Sequence, residues 1–290
     1  MRPISSRSRG IGLRQEHLDA LCSGPVRPGI DFLELAPENW MAIGGARRAQ
    51  LHRIAERYPL VAHGLSLSLG DCQPLNRTLL SQIRTFLDEF GIGIYSEHLS
   101  FSRDQQGYLY ELLPVPRQWE NIPYLAERIE QVQEALARPL VLENISYYHG
   151  YDYEMPEEDF LAELVARSGC ELLLDINNVF VNSRNHGYCP KRMIAGLPSH
   201  AIRYFHIAGH LEESDGTLLG TYLLDTHGKP VCEAVVALAR YTVQTHGLRP
   251  LLLERDHHLP PLAELEAELA RVHGACCEAI DHQVREVRYG

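Results

Sequence analysis

The sequence predicts an α/β fold, a single (β/α)8 barrel spanning residues 1–290, and three observations carry it. Eight short apolar runs alternate with longer amphipathic stretches. Runs such as LVLEN and LLLD are apolar on both faces, as buried parallel strands are. No Ser/Gly/Pro-rich linker divides the chain, and barrels routinely reach ~250 residues as one unit.

In chain order the strand candidates are GIGLR (10–14), DFLELA (31–36), LVAHGL (60–65), GIYSEH (93–98), LVLEN (140–144), ELLLDI (171–176), RYFHIA (203–208) and PLLLE (250–254). Helical periodicity fills 46–57, 75–90, 118–137, 157–167, 231–246 and 261–279. Weaker helical signals follow GIGLR and cover 190–197. The stretches 99–117, 145–156, 182–190 and 209–229 read as irregular, and all but 182–190 directly follow a strand end, where barrels place their chemistry. A doubly wound open sheet is the rival, but GIGLRQ is a poor match to the GxGxxG phosphate turn it wants.

Composition narrows the function. The net charge is −11, which argues against nucleic acid and against a polybasic membrane anchor. No apolar run reaches ~18 residues, so no membrane span is expected. Seven scattered Cys with no CxxC pair form neither a disulfide framework nor a thiolate zinc site; reduced thiols in a cytoplasmic protein are expected. The basic start MRPISSRSRG lacks the apolar run of a secretory signal.

The strand ends carry the polar signal. The third run ends in His63, the fourth in Glu97-His98 and the fifth in Glu143-Asn144. The sixth leads into Asp175-Ile176-Asn177-Asn178, and the seventh carries His206, with His210 four residues later. The eighth ends in Glu254, with Asp256 two residues on; the second contributes Glu34, then Glu38-Asn39. LLDTHG adds Asp225 and His227. One such residue alone is ordinarily a solvated, capping or hydrogen-bonded side chain. Together, at one rim of a parallel barrel, they converge. Carboxylates gathered within ~6 Å would repel unless cations join them. Imidazole mixed with carboxylate, without thiolate, suits iron, manganese or zinc. Nine candidates (His63, His98, Glu143, Asp175, Asn177, His206, Asp225, His227 and Glu254) exceed one ion's needs and suit two or three with bridging carboxylates.

Other chemistry is thin. GxSxG, Walker and HExxH motifs are missing. A Cys189/His186 pair in NHGYCP reads as chance proximity, and Tyr147, Tyr148, Tyr151 and Tyr153 read equally as substrate wall or loop packing.

AHGLSLSLG, SEHLSF, LVLENIS, LLLDINNVFVNSRNHG, YFHIAGH, LLDTHG and ERD, in that order, together with IGLR and ELAPENWM, resemble the multinuclear non-haem iron-dependent oxidative enzymes over about residues 10–270. The resemblance implies a TIM barrel of xylose-isomerase-like shape, related also to endonuclease IV. It implies two or three iron ions, mixed Fe(II)/Fe(III), and O2 as co-substrate. The substrate it implies is a Cys-containing, ribosomally made precursor peptide, often brought by a separate delivery protein. The motifs carry the nine ligands over residue by residue, with either Asn177 or Asn178 serving in DINN. Asp256, beside Glu254, becomes a candidate proton acceptor, with helix capping as its alternative. A zinc or manganese hydrolase or isomerase on the same barrel is the rival. Net charge disfavours its endonuclease form, and Lys191 and Lys229 stand away from strand ends, unlike a sugar isomerase's lysine. A closed metal-binding scaffold without catalysis is a third possibility.

Overall fold

The computed structural model describes residues 3–103, 106–152, 154–214 and 221–289; Tyr153 and residues 215–220 of the 209–229 stretch lie outside these. Twelve described strands occur: β1 (Arg9–Gly12), β2 (Phe32–Leu35), β3 (Leu60–Gly64), β4 (Tyr95–His98), β5 (Ser100–Arg103), β6 (Tyr108–Pro114), β7 (Leu140–Glu143), β8 (Glu171–Asp175), β9 (Ile202–Ile207), β10 (Leu211–Ser214), β11 (Thr221–Leu224) and β12 (Leu251–Leu253). Eight of them close a parallel barrel in the order β1-β12-β9-β8-β7-β4-β3-β2. These are the eight runs expected from sequence.

The helices are α1 (Leu18–Ser23), α2 (Gly45–Ala55), α3 (Arg77–Glu89), α4 (Asn121–Leu136), α5 (Glu157–Ser168), α6 (Ile176–His186), α7 (Pro190–Gly196), α8 (Glu233–His246) and α9 (Leu262–Tyr289). Both weak helical signals are real, as α1 and α7. Three irregular stretches need correction. Residues 99–117 hold the antiparallel hairpin β5–β6, and 209–229 holds β10–β11. Residues 182–186 belong to α6. Asp175 caps that helix by accepting from the Asn178 backbone N–H at 2.7 Å, and Gly187 ends it at a left-handed φ of 73°. Its polar residues did not break it because Asn182 spends its amide on the Tyr147 N–H and the Ile145 carbonyl.

The strand period of two sorts the core. Leu33, Leu142, Leu174, Phe205 and Leu253 face outward against the helices in the main apolar cluster. Phe32, Val61, Ile94, Val141, Leu173, Tyr204 and Leu252 form a separate layer inside the barrel. β1 leaves room for that layer: a Cβ on Gly10 would stand 2.4 Å from the buried Phe32 ring. Gly10→Ala should therefore lower the melting temperature by about 2–5 °C, the overpacking cost of ~1–3 kcal/mol spread over a chain this long. A thermal melt matching wild type would show that the ring has somewhere to go.

Candidate metal centre

Two residues along each strand from that apolar layer, the next inward positions are Glu34, His63, Ser96, Glu143, Asp175, His206 and Glu254. All seven are buried. The same alternation that packs the barrel floor thus sets a ring of mostly ionisable groups directly above it.

Three groups of side chains there could each hold a cation, each with its ligand atoms within 4.8 Å of one another: His63, His98 and Glu143; Glu143, Asp175 and His206; Asp175, His227 and Glu254. Glu143 and Asp175 each belong to two groups, so the three form a chain joined by carboxylates. In the first, Glu143 Oε2 lies 3.0 Å from His63 Nε2 and 3.4 Å from His98 Nε2, and the two ring nitrogens are 3.1 Å apart. Asp225 stands beside the third group, 2.7 Å from His227 Nε2, and accepts from the Asn177 amide at 2.7 Å. Seven of the nine sequence candidates are therefore in the three groups, and Asp225 and Asn177 adjoin them.

A cation fits these residues because their inward atoms form no hydrogen bonds and have only one another as near neighbours. Glu143 Oε2, Asp175 Oδ2, His227 Nε2 and both His206 nitrogens are buried without a hydrogen bond. His206 Nε2 is 2.9 Å from Glu34 and Nδ1 is 3.1 Å from Glu254, close but misaligned. Buried polar atoms left this way are costly unless something bonds them.

The electrostatics agree. Burial pushes the His63 imidazole down, but Glu143 and Glu34 outweigh it and hold it up at about 9. Burial also pushes the Asp175 carboxyl well up, with Glu143 and Asp225 adding to it. Glu254 is held well below its usual range despite burial, by His227 and His206. Protons and carboxylates alternate through the ring where cations and carboxylates would otherwise do so.

The surroundings fix orientation. Tyr204 donates to Glu34 Oε2 at 2.7 Å, Ser96 Oγ is 2.7 Å from the Tyr204 hydroxyl, and His63 Nδ1 is 2.7 Å from Ser96 Oγ. One proton direction satisfies the whole chain: His63 Nδ1–H donates to Ser96, Ser96 to Tyr204, and Tyr204 to Glu34. That aims His63 Nε2 at Glu143 and His98, where a cation can take its lone pair. His227 takes a left-handed φ of 48°, tolerated more readily by His than by bulkier residues. Its ring is held between Asp225 and Asp256, the latter 3.1 Å from Nδ1. Asp256 is paired in turn with Arg14. Asp256 is thus at the mouth, joined to the cluster through His227.

Sequence reasoning left two neighbours out of the ligand set. Glu34 is one; its approach to His206 follows only from barrel closure, which sets β2 three strands from β9 through β1 and β12. His210 is the second, its Nδ1 2.8 Å from Asn177 Oδ1. Asn178, the alternative to Asn177 in DINN, also reaches the ring: its Nδ2 is 3.4 Å from Glu143 Oε1, and its buried Oδ1 is unpartnered. The Cys189/His186 proximity has no bond behind it, since His186 Nε2 is 2.8 Å from the Tyr147 carbonyl instead.

A cavity of about 910 Å³ opens above the ring, lined by His63, His98, His227, Glu254, Asp256 and Arg14 among others. Exposed Leu65, Tyr108 and Tyr148 stand around it. Tyr148 accepts the Asp225 backbone N–H at 2.8 Å, so of the tyrosine cluster this ring does face the site. None of the described helices is long and apolar enough to cross a membrane.

The chain belongs to the MbnB/TglH/ChrH family of RiPP precursor modification enzymes, whose model matches residues 8–276. It is 44% identical to a UPF0276 protein of Shewanella loihica over 93% of this chain and 95% of that one. It is 44% identical to a UPF0276 protein of Pseudomonas aeruginosa strain UCBPP-PA14 over 97% and 96%. Among solved structures, a xylose isomerase-like TIM barrel protein from Mycobacterium smegmatis in complex with magnesium superposes with a TM-score of 0.58 at 14% identity, covering 91% of this chain and 87% of that one. Endonuclease IV from Thermus thermophilus does so at 0.55 and 15%, covering 93% and 99%. These two share the fold, a xylose-isomerase-like barrel.

Proposed function

We propose that this protein oxidatively modifies cysteine residues of a ribosomally synthesised precursor peptide, using two or three iron ions and O2. The observation that carries the reading is the chain of three ligand groups joined through Glu143 and Asp175 at the base of the large cavity. In the peptide-modifying family to which the chain belongs, such a site has a substrate to act on.

Bound iron would supply Lewis acidity to a substrate thiol and a centre at which O2 is reduced. The protein's share is positional. His63, His98, Glu143, Asp175, His206, His227 and Glu254 would hold the metal from below, with Asp225 and Asn177 at the edge, leaving the cavity side open. Asp256 faces that open side, where Arg14 and His227 fix its carboxylate. It would take a proton from substrate. Leu65, Tyr108 and Tyr148 give the rim apolar surface for residues flanking the cysteine. A precursor longer than the cavity continues past the rim, where a separate delivery protein would hold it.

The test is incubation of iron-loaded protein with a Cys-containing precursor and its Cys→Ser variant, in air and without O2. A mass change is expected only with Cys and only in air, with O2 consumed in proportion. Full product without O2, or full activity with zinc as the sole metal, would overturn the oxidative reading in favour of metal-assisted hydrolysis or isomerisation.

A further inference from the structure

A second cavity, of about 530 Å³, lies behind the loop that follows β7. Met155, Met193, Tyr147 and Tyr188 give it apolar walls. Five charged side chains also line it, and two pairs are already made. Arg117 donates to Glu154 from Nη2 at 2.8 Å and from its backbone N–H at 2.9 Å. Arg192 Nε stands 3.5 Å from Glu158. Glu157 is left over. Its side chain makes no hydrogen bond and no ion pair within 4.0 Å among the described residues, although Arg117 acts on it at longer range, and its Oε2 is shut off from solvent.

Helix capping does not account for this residue. Glu157 opens α5, where an acid favours the helix dipole, but Glu158 and Asp159 already serve that first turn. An acid needed only there would be solvated. The walls, moreover, already accept a cation: the Arg117 guanidinium lies over the Tyr147 ring, 5.0 Å from its centroid.

We infer that this cavity binds the ammonium or guanidinium group of a basic peptide side chain, with Glu157 as counter-ion and Met155, Met193 and Tyr188 against its alkyl stem. Three carboxylates and two guanidiniums leave room for one more positive charge, and Glu157 is where it is missing. The loop with Tyr147 on this cavity carries Tyr148 on the metal cavity, so a peptide entering the metal cavity passes beside this one. The peptide half of the inference rests on the function proposed above; the cation half does not.

A pH signature follows. Burial pushes the Glu157 carboxyl up to about 7; Arg117 pulls it down, and Glu158 and Glu154 push it further up. A lysine probe stays charged from pH 6 to 8 while Glu157 ionises, so affinity should rise about tenfold across that range. His186 and Cys189 face the cavity as well, so Glu157→Gln is the arm that assigns the effect. That variant should fold. The folded value lies above the ordinary 4.5, so burying Glu157 contributes stability at low pH that is lost as pH rises through 7. Gln removes that loss.

The chain's methionines make the experiment direct. Met155 and Met193 line this cavity, whereas Met41 lines a different one. With methyl-labelled methionine, Ac-Gly-Lys-Gly-NH2 should shift Met155 and Met193 saturably and leave Met41 unmoved. Acetylating the lysine amine, or Glu157→Gln, should each weaken binding at least about tenfold, and Glu157→Gln should abolish the pH dependence. Asp159→Asn, in the same helical turn but off the cavity, should change binding less than about twofold. Equal shifts from the lysine and acetyl-lysine peptides, or unchanged binding by Glu157→Gln, would overturn the cation site while leaving the metal-cavity reading untouched. Tighter binding of putrescine than of the tripeptide would overturn the peptide assignment in favour of a free amine.

Discussion

Glu143→Ala is expected to remove more than one metal ion and to slow turnover at least about a hundredfold. Glu143 is shared by two ligand groups: its Oε2 lies within 3.4 Å of two imidazoles in the first, and it stands with Asp175 and His206 in the second. Alanine takes a carboxylate from both at once. It also leaves His63, which Glu143 chiefly holds charged, without its main partner. A group at one end of the chain behaves differently: losing His98 touches only the first ion's position. The measurement is metal content per chain by elemental analysis after anaerobic reconstitution. Glu143→Ala should lose at least two equivalents and His98→Ala about one, with a rate loss of at least about a hundredfold for the former. Cys276→Ala, a buried change on α9 away from the rim, should keep the full complement. Full metal content and full activity in Glu143→Ala would refute a cluster shared through this carboxylate.

That contrast shows what the sequence made legible. The eight strands were readable because each run is short, apolar on both faces and followed by a helical stretch. The candidate ligands could be grouped from sequence because a parallel barrel brings every strand end to one rim, so Glu143 and His206 converge whatever the loops do. Glu34 was harder: a carboxylate within a strand is ordinarily explained locally, and only closure of β1 onto β12 and β2 sets it against His206. The helix α6 was misread as irregular where Asn and Ser accumulate, because their tertiary hydrogen bonds are invisible in a local pattern. Both hairpins hid for a related reason, since pairing partners such as Phe101 with Leu113 define them more than either strand's propensity does. The Glu157 cavity left no motif, because its residues come from three separated stretches: Arg117, the 147–158 region and 186–193.

Removing the metal should loosen the rim without unfolding the barrel, and the effect should grow with pH. The apolar layer from Phe32 to Leu252 and the helix-packed cluster around it lie below the ionisable ring and do not depend on it. The ring itself carries Glu34, Glu143, Glu254 and the adjacent Asp225, offset in the metal-free protein by protons on His63, His206 and His227, together with Asp175, whose own carboxyl burial pushes well up. The sign follows from His63. Its folded value, about 9, lies above the ordinary 6.5, so the stability it contributes is complete below 6.5 and is lost as pH rises through 9. Asp175, also pushed up, loses its contribution in the same direction, as pH rises. Bound cations replace those protons and do not titrate away. The loaded protein should therefore melt about 5–10 °C above the metal-free one near neutral pH, with the gap widening toward pH 9. Hydrogen exchange should localise the loss to the loops carrying Asp225, His227 and Asp256, while β7, β8 and β9 stay protected. A metal-free protein that melts with the loaded one across this range would mean that the carboxylates hold their positions unaided, and the ring would then be a structural polar network instead of a metal site.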